Sequence, residues 1–181
     1  SPSLAELTNE ETLATLVGWK RRGLVSWIGV SSGAREVARA LELGVFDCVM
    51  LTYNLLQTTP AAAVIEQAAR SGVAVFAKSP LAQALYSRSF LRVRSPSQLW
   101  YLARTLRQGL GPLRRARRYR FLNDVEGWTA TDIALRYVLD HPHLTATMIG
   151  TTRPAHLLEN LAVSNRDALP PELRQRIERT A

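Results

Sequence analysis

Four short apolar runs, each leading into a polar turn and then a helix-patterned segment, fix what this chain can fold into. They are residues 25–30 (VSWIGV), 46–52 (FDCVMLT), 73–77 (VAVFA) and 145–149 (TATMI). Their length and their β-branched and aromatic members read as strands, and their near-continuous apolar character reads as strands covered on both faces. The segments between them carry helical spacing. Residues 34–43 are closed by Gly44, residues 60–70 by Ser71 and Gly72, and residues 130–139 run from a Thr129-x-x-Asp132 capping box to Pro142. Strands alternating with helices imply an α/β fold built on a parallel sheet. Before the first strand, Thr8-x-x-Glu11 reads as a capping box for a helix over 10–22. That helix would turn Leu13, Leu16, Val17 and Trp19 toward a core and stop at Gly23. Leu169-Pro170-Pro171 opens a last helix to about Arg179.

Parallel α/β folds place ligands at the carboxyl ends of their strands. Here those ends are Ser31-Ser32, Tyr53-Asn54, Lys78-Ser79 and Gly150-Thr151-Thr152-Arg153, all polar where the strands are apolar. The last of them sits in MIGTTRPAHLLEN, residues 148–160, where a strand passes through a turn into a helix beginning near Pro154. A helix start with unpaired N–H groups and an adjacent Arg suits a phosphate. The same composition also makes an ordinary connecting loop with capping residues. If the strands are neighbours, the four ends converge on one rim.

At 181 residues the chain has length for one good core. We read a single domain over 1–181 with a basic helical insertion at about 86–126. It is 46% hydrophobic and 21% charged, as soluble globular proteins are. No stretch approaches the roughly 20 apolar residues of a membrane span. The polar, acidic start SPSLAELTNEE is no signal peptide. Cys48, the one cysteine, lies in an apolar run and reads as a buried thiol in a reducing cytoplasm. Neither a disulfide nor a metal site is expected. The net charge of +8 comes from one segment: residues 88–120 hold ten Arg and no acid, while the other 13 basic residues face 15 acids. With Phe90, Trp100, Tyr101, Tyr119 and Phe121 interleaved, the segment could bind nucleic acid by phosphate contacts and base stacking. The Arg spacing around 97–106 suits a solvated helix face better. The 21 Arg against two Lys read as genome composition rather than chemistry.

Five segments in order carry a resemblance: WIGVSS (27–32), FDCVMLTYNLL (46–56), GVAVFAKSPLAQAL (72–85), GWTATDIALRYVLDHP (127–142) and MIGTTRPAHLLEN (148–160). Together they resemble the C-terminal half of the aldo/keto reductases. The resemblance implies α/β architecture of a partial TIM-type (β/α)8 barrel: four parallel strands with flanking helices, strands five to eight of the barrel. It also implies carbonyl reduction with NADP, with NAD as the alternative. By position, Ser31 and Ser32 would hold the nicotinamide carboxamide and Lys78 would lie beside the ring. Ser79, Pro80, Leu81 and Ala82 would form the pyrophosphate loop. Gly150, Thr151, Thr152, Arg153, His156, Glu159 and Asn160 would bind the adenosine and its 2′-phosphate.

The chain departs from the pattern in ways that bear on chemistry. Ser32 stands where Asn is usual, Met50 where a Gln commonly bonds the carboxamide, and Lys78 where an aromatic or Arg is usual. The family's catalytic Asp, Tyr, Lys and His lie on its first four strands, and no segment here resembles those. Hydride transfer to a carbonyl needs a proton donor at the developing alkoxide. Tyr53 with Lys78 is the nearest substitute, His141 and His143 read as surface residues away from the rim, and His156 as a cofactor-edge or exposed helix residue. No catalytic residue is therefore assigned. Four strands alone leave two open edges and would expose Trp27, Ile28, Val49, Leu51, Val75, Phe76 and Met148. A second polypeptide carrying the other half, a second copy of this chain, or a longer reductase of which this is a piece would each resolve that. A non-catalytic NADP-binding module is the alternative to a reductase half.

Overall fold

A computed structural model describes residues 1–87 and 111–181. Among them, the chain divides into two compact units. The first comprises residues 1–53, 57–80 and 141–149; the second comprises 54–56, 81–140 and 150–181.

The first unit holds the whole sheet. Its elements are α1 (Leu4–Leu7), α2 (Glu10–Arg21), β1 (Gly29–Ser31), α3 (Ala34–Leu43), β2 (Cys48–Thr52), α4 (Ala61–Arg70), β3 (Ala74–Lys78) and β4 (Ala146–Met148). The strands lie in the order β1-β2-β3-β4, all parallel, as the alternation of apolar runs and helices predicts. Parallel neighbours need a crossover connection, most often a helix. Helix α3 packs on β1 and β2, and α4 on β2 and β3. Gly44 ends α3 in the left-handed conformation (φ 66°), which a residue without Cβ adopts at no steric cost.

The period-2 alternation of strand side chains sorts the residues into two faces. Val30, Val49, Leu51, Val75 and Ala77 are buried on one. Cys48, Met50, Thr52, Ala74, Phe76 and Lys78 are half-buried on the other. This corrects the expectation that Ile28, Val49, Leu51 and Val75 are exposed: all four are at most 4% exposed. Helices, rather than a missing barrel half, cover the face these side chains use. Trp27 and Met148 are exposed as expected, at 74% and 52%.

The N-terminal region differs from its sequence reading. Thr8 does not cap α2; it follows the short α1, and its hydroxyl donates to the Leu4 carbonyl at 3.0 Å. Asn9 is the cap, its side chain accepting from the Thr12 N–H at 2.8 Å. The reciprocal capping box is Ser3 with Glu6, on α1. No residue of α2 is fully buried and Trp19 is 44% exposed, so its Leu13, Leu16 and Val17 stripe is only half-covered. The first strand is also shorter and later than 25–30, because pairing with β2 begins at Gly29. Just before it, the Ile28 N–H donates to Asp47 at 2.8 Å and Lys20 donates to the same carboxylate. The Lys20 hydrogen bond first, and then the Ile28 N–H, hold the Asp47 carboxyl below the usual carboxylate range.

The second unit is helical among the described residues. It contains a one-turn helix at Ala82–Ala84, α5 (Gly111–Arg118), a 3-10 turn at Arg120–Asp124, α6 (Ala130–Leu139), α7 (Pro154–Ser164) and α8 (Pro171–Thr180). The Thr129/Asp132 capping box forms as expected at the start of α6. Six of the ten α6 residues are buried, and α6 packs on α7. Arg166 lies flat over Trp128 at 3.5 Å and donates to the Gly127 carbonyl at 2.7 Å, tying the exit of α7 to the entrance of α6. The expected helix at 97–106, together with Phe90, Trp100 and Tyr101, lies outside the described residues. No helix among the described residues is long and apolar enough to cross a membrane.

Candidate functional site

Within the first unit, the carboxyl ends of β1, β2 and β3 carry the polar groups that the sequence singles out. The register sets Ser31 level with Met50, and Thr52 level with Lys78. Lys78 and Ser31 share the half-exposed face, and the Lys78 side chain reaches across β2 to donate from Nζ to Ser31 Oγ at 3.1 Å. These two predicted site residues are thus brought together directly. Met50, between them on that face, offers no hydrogen bond to a carboxamide.

Ser32 faces the other way. It is 3% exposed and its hydroxyl donates to the Pro2 carbonyl at 3.0 Å. Its strong donor is therefore committed to the chain's own backbone, and Ser31 is the hydroxyl left to face a ligand. Tyr53 and Lys78 do not form the acid pair considered from sequence. Tyr53 is 4% exposed, its ring packs edge-on against His141 at 5.1 Å, and its backbone N–H donates to the Lys78 carbonyl. His141 is accordingly half-buried rather than at the surface, while His143 is exposed. Alternation along β2 explains the miss: a tyrosine two residues after Leu51 follows it into the buried layer.

Cys48 lies on the same face as Ser31 and Lys78, at the opposite end of the strands. Its Sγ occupies the space beside Gly29, where an added Cβ would come within 2.4 Å of it. Gly29 is what admits the thiol. The thiol is half-buried rather than fully buried, and burial, with a smaller contribution from Asp47, pushes its pKa up. Its seat beside Gly29 makes it a packing group.

Ser79 is exposed with φ 58° and Pro80 is buried. Leu81 and Ala82 belong to the second unit. There Ala82, Gln83 and Ala84 all take left-handed conformations (φ 44°, 58° and 55°), closed by the Ala84 N–H donating to the Leu81 carbonyl at 2.7 Å. Three successive non-glycine residues in this region store strain of about 1 kcal/mol each or more. This turn is not legible in the sequence, because none of the three is Gly or Asn.

Gly150, Thr151, Thr152, Arg153, His156 and Glu159 are exposed in the second unit, and Asn160 is half-buried. Pro154 occupies the first turn of α7, as predicted, and no side chain caps that helix start. Thr151 Oγ1 accepts from the Arg153 N–H at 3.2 Å and folds the turn so that the Arg153 side chain leads into the helix. The Leu157 N–H already bonds the Arg153 carbonyl, so the first-turn N–H groups facing out are those of Ala155 and His156. Among the described residues, no cluster of three or more His, Cys, Asp or Glu is arranged to hold a metal.

The described part of the basic segment, residues 111–120, offers less to nucleic acid than its sequence does. On α5, Arg114, Arg115, Arg117 and Arg118 are exposed and Ala116 is buried. Tyr119 is 2% exposed, and Phe121 is stacked under the Arg176 guanidinium at 4.0 Å. Both aromatics are used in packing rather than presented for base stacking.

Solved structures of similar fold include an aldo-keto reductase, AKR11C1, from Bacillus halodurans. Its holo form matches 100% of this chain and 58% of its own at 20% identity, with a TM-score of 0.76. The apo form matches 95% of this chain and 56% of its own at 21% identity, with a TM-score of 0.68. A thermostable aldo-keto reductase, Tm1743, bound to the inhibitor epalrestat, matches 99% of this chain and 56% of its own at 22% identity, with a TM-score of 0.65. This chain therefore spans somewhat more than half the length of the structures it matches, as a partial (β/α)8 barrel of four parallel strands flanked by helices. A search of curated proteins gave no match. The family model for the aldo/keto reductase family matches residues 4–181, and the chain belongs to that family.

Proposed function

We propose that this chain supplies the cofactor-binding side of an NAD(P)H-dependent carbonyl reductase and takes NADP in preference to NAD. The observation that carries this is the start of α7: Pro154 in the first turn, no side-chain cap, outward N–H groups at Ala155 and His156, and an exposed Arg153 beside them. Free N–H groups and the positive end of the helix dipole favour a phosphate, and Arg adds a bidentate donor. These residues fit the adenosine phosphate of NADP. Within the first unit, Ser31, backed by Lys78, suits a carboxamide through one hydroxyl. The residues of this chain bind and orient the dinucleotide. When bound, it supplies the hydride.

Titrating the 181-residue chain with NADPH and with NADH, followed by fluorescence, tests the reading. Saturable binding is expected, tighter for NADPH. Arg153→Ala should weaken NADPH by about tenfold and leave NADH nearly unchanged, since a charge-assisted contact to an exposed phosphate is worth on the order of 1.5 kcal/mol. Equal losses for both would remove Arg153 from the 2′-phosphate.

The proton donor is proposed to come from outside these residues. Among the described strands, β1 and β4 each pair on one side only, which supports completion of the sheet by further strands, from more of the same polypeptide or from a second chain. Aldehyde-dependent loss of NADPH absorbance is expected once a family half-barrel bearing the Asp, Tyr, Lys and His is supplied. Turnover by the 181 residues alone would place the donor within them.

A further inference from the structure

We infer that Lys78 makes the site discriminate between the oxidation states of the nicotinamide, holding the reduced ring and rejecting the oxidised one. This rests on the cofactor reading above and adds a property to it. Lys78 ends β3 on the half-exposed face of the sheet, level with Thr52 on β2. Its ammonium crosses β2 to meet Ser31 Oγ on β1 at 3.1 Å. Every other residue on that face of the four strands is uncharged. Asp47, which precedes β2, is already occupied by Lys20 and the Ile28 N–H. On this face the cation is thus met by a hydroxyl dipole and by no carboxylate.

The two states of the cofactor share the adenosine, both riboses and all phosphates. They differ at the ring: the oxidised pyridinium carries a positive charge and the reduced dihydropyridine carries none. A fixed ammonium beside the ring therefore acts on one state only. Like charges brought close together disfavour binding, and with salt and the partial exposure of Lys78 the effect is about tenfold. The hydroxyl of Ser31 is indifferent to the change. An aromatic residue in place of Lys78 would give no such bias. The consequence is a site that fills with the reduced cofactor and releases the oxidised one.

The ratio of Kd for NADP+ to Kd for NADPH on the 181-residue chain isolates the ring, because every other contact cancels. If NADH binds more tightly than NADPH, the NAD+ and NADH pair serves equally. Wild type should favour the reduced form by at least about tenfold. Lys78→Gln keeps a donor for Ser31 and removes the charge; its ratio should fall about tenfold, mostly through tighter binding of the oxidised form. Lys78→Arg keeps the charge and should keep the ratio. Far-UV circular dichroism on each variant checks the fold, and Lys78→Arg provides a second reading where Lys78→Gln is unstable. Equal affinities in wild type, or an unchanged ratio in Lys78→Gln, overturn the inference and leave the cofactor site standing. Binding of neither form by wild type overturns both.

Discussion

Leu51→Ala is expected to lower the unfolding free energy by about 3 kcal/mol, read as a fall in denaturant midpoint with the slope unchanged. Leu51 is 0% exposed on β2, an inner strand paired with both β1 and β3. Helices α3 and α4 both pack on this strand, so the cavity left by truncation lies between a sheet fixed on two sides and two helices anchored to the neighbouring strands. Such a site collapses poorly, which places the cost in the middle of the 2–5 kcal/mol range for leucine truncation. Leu51→Met conserves volume and should cost less than about 1.5 kcal/mol. The next residue, Thr52, is level with Lys78. A loosened β2 therefore also disturbs the Lys78 to Ser31 contact, and cofactor affinity should fall with stability.

The same strand shows what the sequence discloses and what it withholds. Its apolar run, its length and its place among helices are enough to predict a covered parallel strand. Which side chains face the helices is not legible in FDCVMLT, because an unbroken apolar run carries no alternation to read. A four-strand half barrel without its partner half predicts exposure of Val49 and Leu51, and the run does not show that both take the helix-covered phase, where they are buried. Position alone predicts Tyr53 at the rim, and phase sets it in the buried layer against His141. Capping motifs are local, so Thr129 with Asp132 could be read directly. Thr8 could not, because the four-residue α1 that precedes it is too short to show a hydrophobic period. The meeting of Lys78 with Ser31 spans 47 residues and one intervening strand, and depends on a register that only strand pairing supplies.

Asp140→Ala should damage the second unit severely, costing about 3–5 kcal/mol. The Asp140 side chain is 5% exposed and pairs with Arg136, itself 17% exposed, at 2.6 Å from Nη2 and 2.7 Å from Nε. Its other oxygen accepts from the Leu169 N–H at 2.9 Å. One carboxylate thus joins the end of α6 to the segment that leads into α8. Truncation leaves a largely buried guanidinium without its counter-charge and an N–H without its acceptor, and each loss is costly because burial removes the option of water. Asp140→Asn keeps one of the two acceptor oxygens and sets an NH2 donor against either Arg136 or the Leu169 N–H, so it should recover only part of the loss. The effect should reach the proposed phosphate site by a definite route. Arg136 Nη1 also donates to the carbonyl of Ser164, the last residue of α7. With Arg136 unpaired, the helix that presents Arg153 and His156 at its start loses an anchor at its end. Asp140→Ala is therefore expected to lower thermal stability and NADPH affinity together. Arg153→Ala, exposed and outside this network, should lower the affinity and leave the melting temperature within about 2 °C of wild type. A normal NADPH affinity in a destabilised Asp140→Ala would show that α7 is held without Arg136.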